Sequence, residues 1–450
     1  MFVMEKGEIM IIRTVYGEMR GVDHGEYVEF RRVPYAKPPV GELRFKAPVR
    51  PDAWEGVLDA TEYAPKAFQE GNNGAPWGKD FYADPAFDRV PSEDCLYLNI
   101  WVPKSALEDP DASCPIAMWI HGGAFMGGYA TESEFDGAAF TKRGVILASV
   151  EYRCNIFGFF AHPWLTAEND GKTSGNYGSL DQIAALEWLY ENAKCLGGDP
   201  ENITVFGQSA GAMSTQTLIS SDLTRGKIAK AILQSGGSYG QGLHRKMPLA
   251  QQEQFGEMFT EMNGITSLEQ LRAMSTEEIA AAMGPWMEKV FPIFKGLFLI
   301  PLVDGILLKD GYYELMDQGE IHDIPYMLGA TENDIDVQEE NRTNDKVTFL
   351  LPGSIDFSKK LAELGRKPAY VYYFTRKLPG DGWGAYHSAE LFYMFGTLDR
   401  CWRPWEEHDY ELSERMIDYW CNFIKTGDPN GEGLPEWRPC TGEGDVIEFN

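Results

Sequence analysis

The five residues Gly207-Gln208-Ser209-Ala210-Gly211 set a serine between two glycines, after the apolar run ITVF (203–206) and at the start of the small-residue stretch AGAMSTQTLI (210–219). A strand, a tight turn and a helix in that order lift a serine hydroxyl off a sheet as a nucleophile. The turn forces Ser209 into strained φ/ψ, and a Cβ at either glycine would crowd strand and helix together. The positive end of the helix dipole lies beside any anion that develops there. The chemistry indicated is acyl transfer through a covalent serine intermediate.

Acyl transfer also needs N–H donors aimed at the oxygen that becomes negative. His121-Gly122-Gly123-Ala124-Phe125 follows the apolar run IAMWI, and glycines let main chain approach that oxygen closely. Gly123, Ala124 and Ala210 are the candidate donors; losing one such donor raises a barrier by ~2.7–4 kcal/mol. A Cβ at Gly123 is expected to push into the position of the substrate's carbonyl oxygen.

The serine needs a base, and the base needs a carboxylate to orient it. Seven histidines are present. With the chain order Ser, acid, His, the main choices are His387, in the loop GDGWGAYHSAE, and His408, which opens a long helical stretch as a surface residue. His387 is preferred. The acid should end the strand before that loop, where IPYMLGAT is followed by Glu332, Asp334 and Asp336. Local spacing favours Asp334 with Asp336 as the alternative.

These groups must be held by regular elements. The runs IAMWIHGG (116–123), VILASVEYR (145–153), ITVFGQS (203–209), KAILQSGG (230–237), IPYMLGAT (324–331) and AYVYYFTR (369–376) alternate with helical stretches. Continuous apolar strands separated by helices indicate an α/β protein with a mostly parallel sheet covered on both faces. Turn-punctuated, strand-like segments fill the first hundred residues. Helices are expected over 178–195 and 407–426, the latter stopped by Gly427 and Pro429. Several short helices over 248–283 read as a cap above the strands' C-terminal ends.

The chain has 450 residues and a formal net charge of −28, which argues against nucleic acid or an anionic membrane as partner. No apolar stretch reaches membrane-spanning or secretory length, so a cytoplasmic protein is expected. The seven cysteines form no CxxC pair, which speaks for reduced buried thiols and against a zinc site. The sequence carries no signal for an oligomeric state.

Several long segments together resemble the type-B carboxylesterases of the α/β-hydrolase fold, a family that includes bacterial para-nitrobenzyl esterases and, more distantly, the cholinesterases. They are VPYAKPPVGELRFKAP (33–48), SEDCLYLNIWVP (92–103), IHGGAFMGG (120–128), GNYGSLDQIAALEWLYENAKCLGGDPENITVFGQSAGA (175–212), QSGG (234–237), PLVDG (301–305), YHSAELFYMFG (386–396) and FIKTGDPN (423–430). The likeness runs nearly end to end and implies one domain over 1–450, with an N-terminal antiparallel portion and cap-like insertions at about 240–300 and 337–366. It implies a triad of Ser209, Asp334 and His387, with Asp334 favoured because the family's acid falls five residues after the glycine that here is Gly329. It implies oxyanion donors at Gly123, Ala124 and Ala210, a small-molecule ester as substrate, and no metal or organic cofactor.

Three departures stand out. Many members have Glu followed by Gly where this chain has Asp334-Ile335, and Glu where it has Gln208. Animal members bridge the cysteine matching Cys95, which has no evident partner here. Trp286, Phe291, Phe294 and Trp383 are candidates for lining the acyl and alcohol pockets. Amide or peptide cleavage by the same triad, and a non-catalytic binding role on the same fold, are the alternative readings.

Overall fold

The computed structural model describes residues 9–71, 78–337 and 346–450. Among these, twelve strands share one mixed sheet. They are β1 (Ile9–Arg13), β2 (Glu18–Asp23), β3 (Tyr27–Pro34), β4 (Val57–Asp59), β5 (Tyr97–Pro103), β6 (Cys114–Ile120), β7 (Ile146–Val150), β8 (Gly198–Gln208), β9 (Lys230–Gln234), β10 (Tyr326–Thr331), β11 (Tyr370–Phe374) and β12 (Ile447–Phe449). Their order across the sheet is β1-β2-β3-β5-β7-β6-β8-β9-β10-β11-β12, with β4 beside β2. The first four of that order, and their junction with β7, are antiparallel. From β7 to β12 every pairing is parallel.

The central strands read as unbroken apolar runs because both faces are covered. Side chains alternate by two: Ile116, Met118 and Ile120 enter one core, Ala117 and Trp119 the other. The flanking helices include α1 (Tyr177–Asn192), α2 (Ala210–Ile219), α3 (Leu249–Met262), α4 (Leu268–Ala273), α5 (Thr276–Phe294), α6 (Leu350–Glu363) and α7 (Glu407–Thr426). The last has the expected bounds and ends on Gly427 at φ 79, the left-handed residue that a helix stop favours. Two buried bidentate pairs tie the early motifs together. Arg153 meets Asp181 of α1 at 2.7 and 2.8 Å. Arg44 meets Glu93 at 2.5 and 2.8 Å and also donates to the carbonyl of Met274, between α4 and α5.

Register decides where the loops that carry chemistry begin. Gly207 lies beside Ile120, Gln208 beside Gln234, Gln234 beside Gly329, and Thr331 beside Phe374. The carboxyl ends of β6, β8, β9 and β10 therefore come level, and the residues that follow them share one edge of the sheet. Crevices outside strand carboxyl ends are where open α/β sheets bind ligands.

In the insertion expected as a cap, helices α3 and α5 share an aromatic cluster with neighbouring segments, in which Phe160, Phe259 and Phe298 lie 4.9–5.9 Å from the Trp286 ring. Of the segment 337–366, positions 338–345 lie outside the described residues. Most of the remainder forms α6, which packs on β10 and β11 as the crossover between them. All seven cysteines are unbridged, with Cys95 buried. Among the described residues no helix is long and apolar enough to cross a membrane.

Candidate active site

Ser209 sits between β8 and α2 at φ 56 and ψ −121, a conformation that costs a non-glycine residue of order 1–3 kcal/mol. The surroundings enforce it. Its N–H donates to the Gln234 carbonyl at 2.8 Å, and its carbonyl accepts from Met213 at 3.0 Å. A Cβ on Gly207 would come within 2.5 Å of the Ile120 carbonyl oxygen, and one on Gly211 within 1.9 Å. Both glycines are thus required by the close approach of strand and helix, as the sequence pattern implies.

Beyond β6 the chain turns through Gly123 at φ 104, Ala124 at φ 58 and Phe125 at φ 60. The Gly123 carbonyl is held by the N–H groups of Met126 and Gly127, and that of Phe125 by Asn155 N–H. Among the described residues, no acceptor takes up the N–H groups of Gly123, Ala124 or Ala210. A Cβ at Gly123 would lie 2.1 Å from the Gly127 oxygen. The loop's own backbone therefore forbids a side chain there, before any substrate atom does. His121, at the start of this loop, is structural. It stacks on Tyr152, its Nδ1 lies 2.8 Å from the Gly122 oxygen, and burial pushes its imidazole down to about 4.

Asp334 and His387 meet. Nδ1 of the imidazole lies 2.5 Å from Oδ1 of the carboxylate. The two loops are stitched by Asn333, whose N–H donates to the Ala385 carbonyl at 2.8 Å while its Oδ1 accepts from Ala385 N–H at 3.0 Å. Asp334 takes four further hydrogen bonds. They come from Ser235 Oγ at 2.7 Å, from Thr331 N–H and Oγ1 at 3.0 Å each, and from its neighbour Ile335 N–H at 2.7 Å. Burial alone would raise its pKa; the imidazole and these donors outweigh burial and hold it below the usual carboxylate value. Burial would lower that of His387, but the Asp334 charge prevails and raises it. Asp336 points elsewhere, accepting from Thr348 Oγ1 and Phe349 N–H at the start of α6. His408 is exposed, 2.8 Å from the Asn450 carbonyl oxygen.

On its far side His387 Nε2 lies 3.2 Å from the Gln208 amide nitrogen, which is its hydrogen-bond partner in this structure. Ser209, His387, Gln208, Gly122, Gly123 and Ala124 all line one cavity of about 280 Å³. Its other walls are Phe81, Tyr82, Glu132, Glu134, Phe135, Ile335, Ser388 and Leu391. None of the four aromatic residues proposed from sequence lines it. Trp286 is wholly buried and donates to the Phe255 carbonyl, while Phe291 is 59% exposed. Phe294 packs on Phe255, and Trp383 on the second core. The insertions were expected to wall the pocket, but Trp286 and Phe294 of α5 pack on Phe259 and Phe255 of α3 instead.

Sequence reasoning also passed over Ser235, Thr331, Asn333 and Glu390. Ser235 stands in the QSGG segment, at φ 49, directly after β9. Glu390, three residues past His387, is fully buried. It accepts from Gln234 Nε2 at 3.3 Å and from Tyr372 OH at 3.2 Å, and burial, with the Asp334 charge, pushes its carboxyl up to about 7. Among the described residues no group of three or more His, Cys, Asp or Glu side chains could hold a metal ion.

The profile of the carboxylesterase family matches residues 9–349 and 345–449. The para-nitrobenzyl esterase of Bacillus subtilis is 32% identical over 94% of this chain and 91% of its own length. Carboxylesterase 4A of Bos taurus is 30% identical over 94% and 88%. A solved para-nitrobenzyl esterase structure superposes with a TM-score of 0.82 at 29% identity, covering 98% of this chain and 95% of the other. With matches this long on an α/β-hydrolase frame, the chain belongs to the carboxylesterase family, and it is an ester hydrolase.

Proposed function

We propose that the protein hydrolyses carboxylic esters in two steps through Ser209, His387 and Asp334. His387 Nε2 exchanges the Gln208 amide for the Ser209 hydroxyl and takes its proton as Oγ attacks the ester carbonyl. The carbonyl oxygen becomes an oxyanion and accepts from the N–H groups of Gly123, Ala124 and Ala210. Asp334 keeps the Nδ1–H tautomer and stabilises the imidazolium. The tetrahedral adduct collapses, His387 returns the proton to the departing alkoxide, and an acyl-enzyme remains. Water, deprotonated by His387, then releases the acid and restores Ser209.

The observation that carries this reading is the Asp334–His387 contact of 2.5 Å beside the cavity that holds the strained Ser209. The test is a serine-directed phosphonate ester, with intact mass measured before and after, on wild type and on Ser209→Ala. One covalent adduct and loss of esterase activity are expected in the wild type, and neither adduct nor activity in a folded Ser209→Ala. Full activity in that variant would overturn the assignment. Matched ester and amide substrates report whether hydrolysis extends to amides.

A further inference from the structure

We propose that Glu134, together with Glu132, binds a protonated amine carried by the substrate ester. This rests on the ester-hydrolase reading of the cavity and names the substrate class. Both carboxyls lie on the wall that holds Ser209, His387 and the Gly122–Ala124 turn. Both are buried, Glu134 to 1% exposure. Glu132 Oε1 accepts from Tyr129 N–H at 3.0 Å and from Tyr82 OH at 3.4 Å. Glu134 Oε2 has no hydrogen-bond partner among the described residues.

Among the described residues no cation forms an ion pair with either carboxyl. The charges of Lys66 and Arg400 reach the pair, and each is committed elsewhere. Lys66 meets Asp88 at 2.5 Å; Arg400 pairs with Asp136 and donates to the Ser133 carbonyl. Burial accordingly raises both carboxyls above the usual range, and the charge of Glu132 raises Glu134 further. Two buried carboxyls side by side resist ionising together, so the pair shares one proton. An ammonium group arriving in the cavity supplies the Glu134 carboxyl with a charged donor and lets the shared proton leave to solvent, so the charge on that wall stays balanced.

The rest of the wall fits the same guest. Phe81, Tyr82 and Phe135 line the cavity, and aromatic faces attract organic cations. Apolar rings are poor ligands for a small hydrated metal ion, which takes oxygen donors all round. An alkylammonium chain satisfies both the rings and the acids.

The experiment compares esters that differ only in charge. Aminohexyl butanoate is set against heptyl butanoate on the alcohol side, and nitrophenyl aminohexanoate against nitrophenyl heptanoate on the acyl side. The ratio of kcat/KM, cationic over neutral, is measured for wild type and Glu134→Gln. In at least one pair Glu134→Gln should lower that ratio about tenfold, the loss of one charge-assisted hydrogen bond. Hexylammonium binding to Ser209→Ala, followed by calorimetry, should weaken by a similar factor when Glu134→Gln is added. An unchanged ratio in both pairs, with unchanged hexylammonium affinity, overturns the proposal while leaving ester hydrolysis intact. If wild type cleaves no ester of either pair, the ester-hydrolase reading fails, and hexylammonium binding alone decides the cation site. If Glu134→Gln does not fold, wild type must bind hexylammonium more tightly than hexanol; equal binding overturns the proposal.

Discussion

Two sets of buried carboxylates flank the cavity of Ser209, and they are supplied in opposite ways. Asp334 takes an imidazole and four further hydrogen bonds, and its pKa falls. Glu132 and Glu134, which line the cavity itself, share a proton and leave one oxygen unmet among the described residues, and their pKa values rise. Burial is similar in both places, so burial does not set the charge; the supply of donors does. An unmet buried acceptor costs roughly 1–3 kcal/mol, a cost that a cationic substrate can relieve.

The largest effect expected comes from removing the supplied charge. Asp334→Asn should lower kcat by roughly 10⁴-fold, because an amide favours the wrong imidazole tautomer. Asp336→Asn should leave turnover close to wild type, since its carboxylate serves Thr348 and Phe349. Steady-state kinetics on a nitrophenyl ester separates the two, and the reverse result would move the acid two residues along.

A smaller loss is expected from Ser235→Ala, which strips one donor from Asp334 Oδ2. A fall in kcat of about tenfold with KM little changed would mark a positioning role felt in the transition state. A change in KM alone would place Ser235 on the substrate.

Gln208→Glu puts a negative charge beside His387 Nε2. The base works when neutral, so activity rises with pH through the histidine pKa, already above its ordinary value. An added carboxylate stabilises the imidazolium, and the acid limb of the kcat/KM profile should move to higher pH. A shift to lower pH would show that the Gln208 contact is not with the catalytic tautomer.

The smallest effect is on stability. A carboxyl whose folded pKa is raised binds its proton more tightly in the folded state than in the unfolded one. Its contribution is therefore lost as pH climbs from the unfolded value through the folded one. Glu134→Gln removes that loss, so its melting temperature at alkaline pH should exceed that of wild type by about a degree or two. At acid pH the two should coincide. A variant that melts lower at every pH would mean the carboxylate is a net stabiliser.

Much of this was legible in the residues themselves. Gly207 and Gly211 announce a strand and helix in close contact, and the unbroken apolar runs announce a sheet covered on both faces. Ser209, the Gly123–Ala124 turn and His387 follow from motif and chain order. Asp334 needed the resemblance to separate it from Asp336, because two carboxylates on one loop look alike until their partners are known. Asn333 makes that distinction in space, by stitching the acid loop to the histidine loop across 52 residues of chain.

What the chain alone determined was the chemistry available, since side-chain type and backbone strain are written locally. Which residues wall the cavity was decided only in three dimensions. Trp286 and Phe294 of the insertion pack on Phe259 and Phe255, while Glu132 and Glu134, unremarkable in a chain with 68 acidic residues, are carried into the cavity of Ser209. Linear sequence records what each group can do. Burial and partnership depend on contacts between residues far apart in the chain, and those exist only once the sheet has set its register and the loops have closed over its edge.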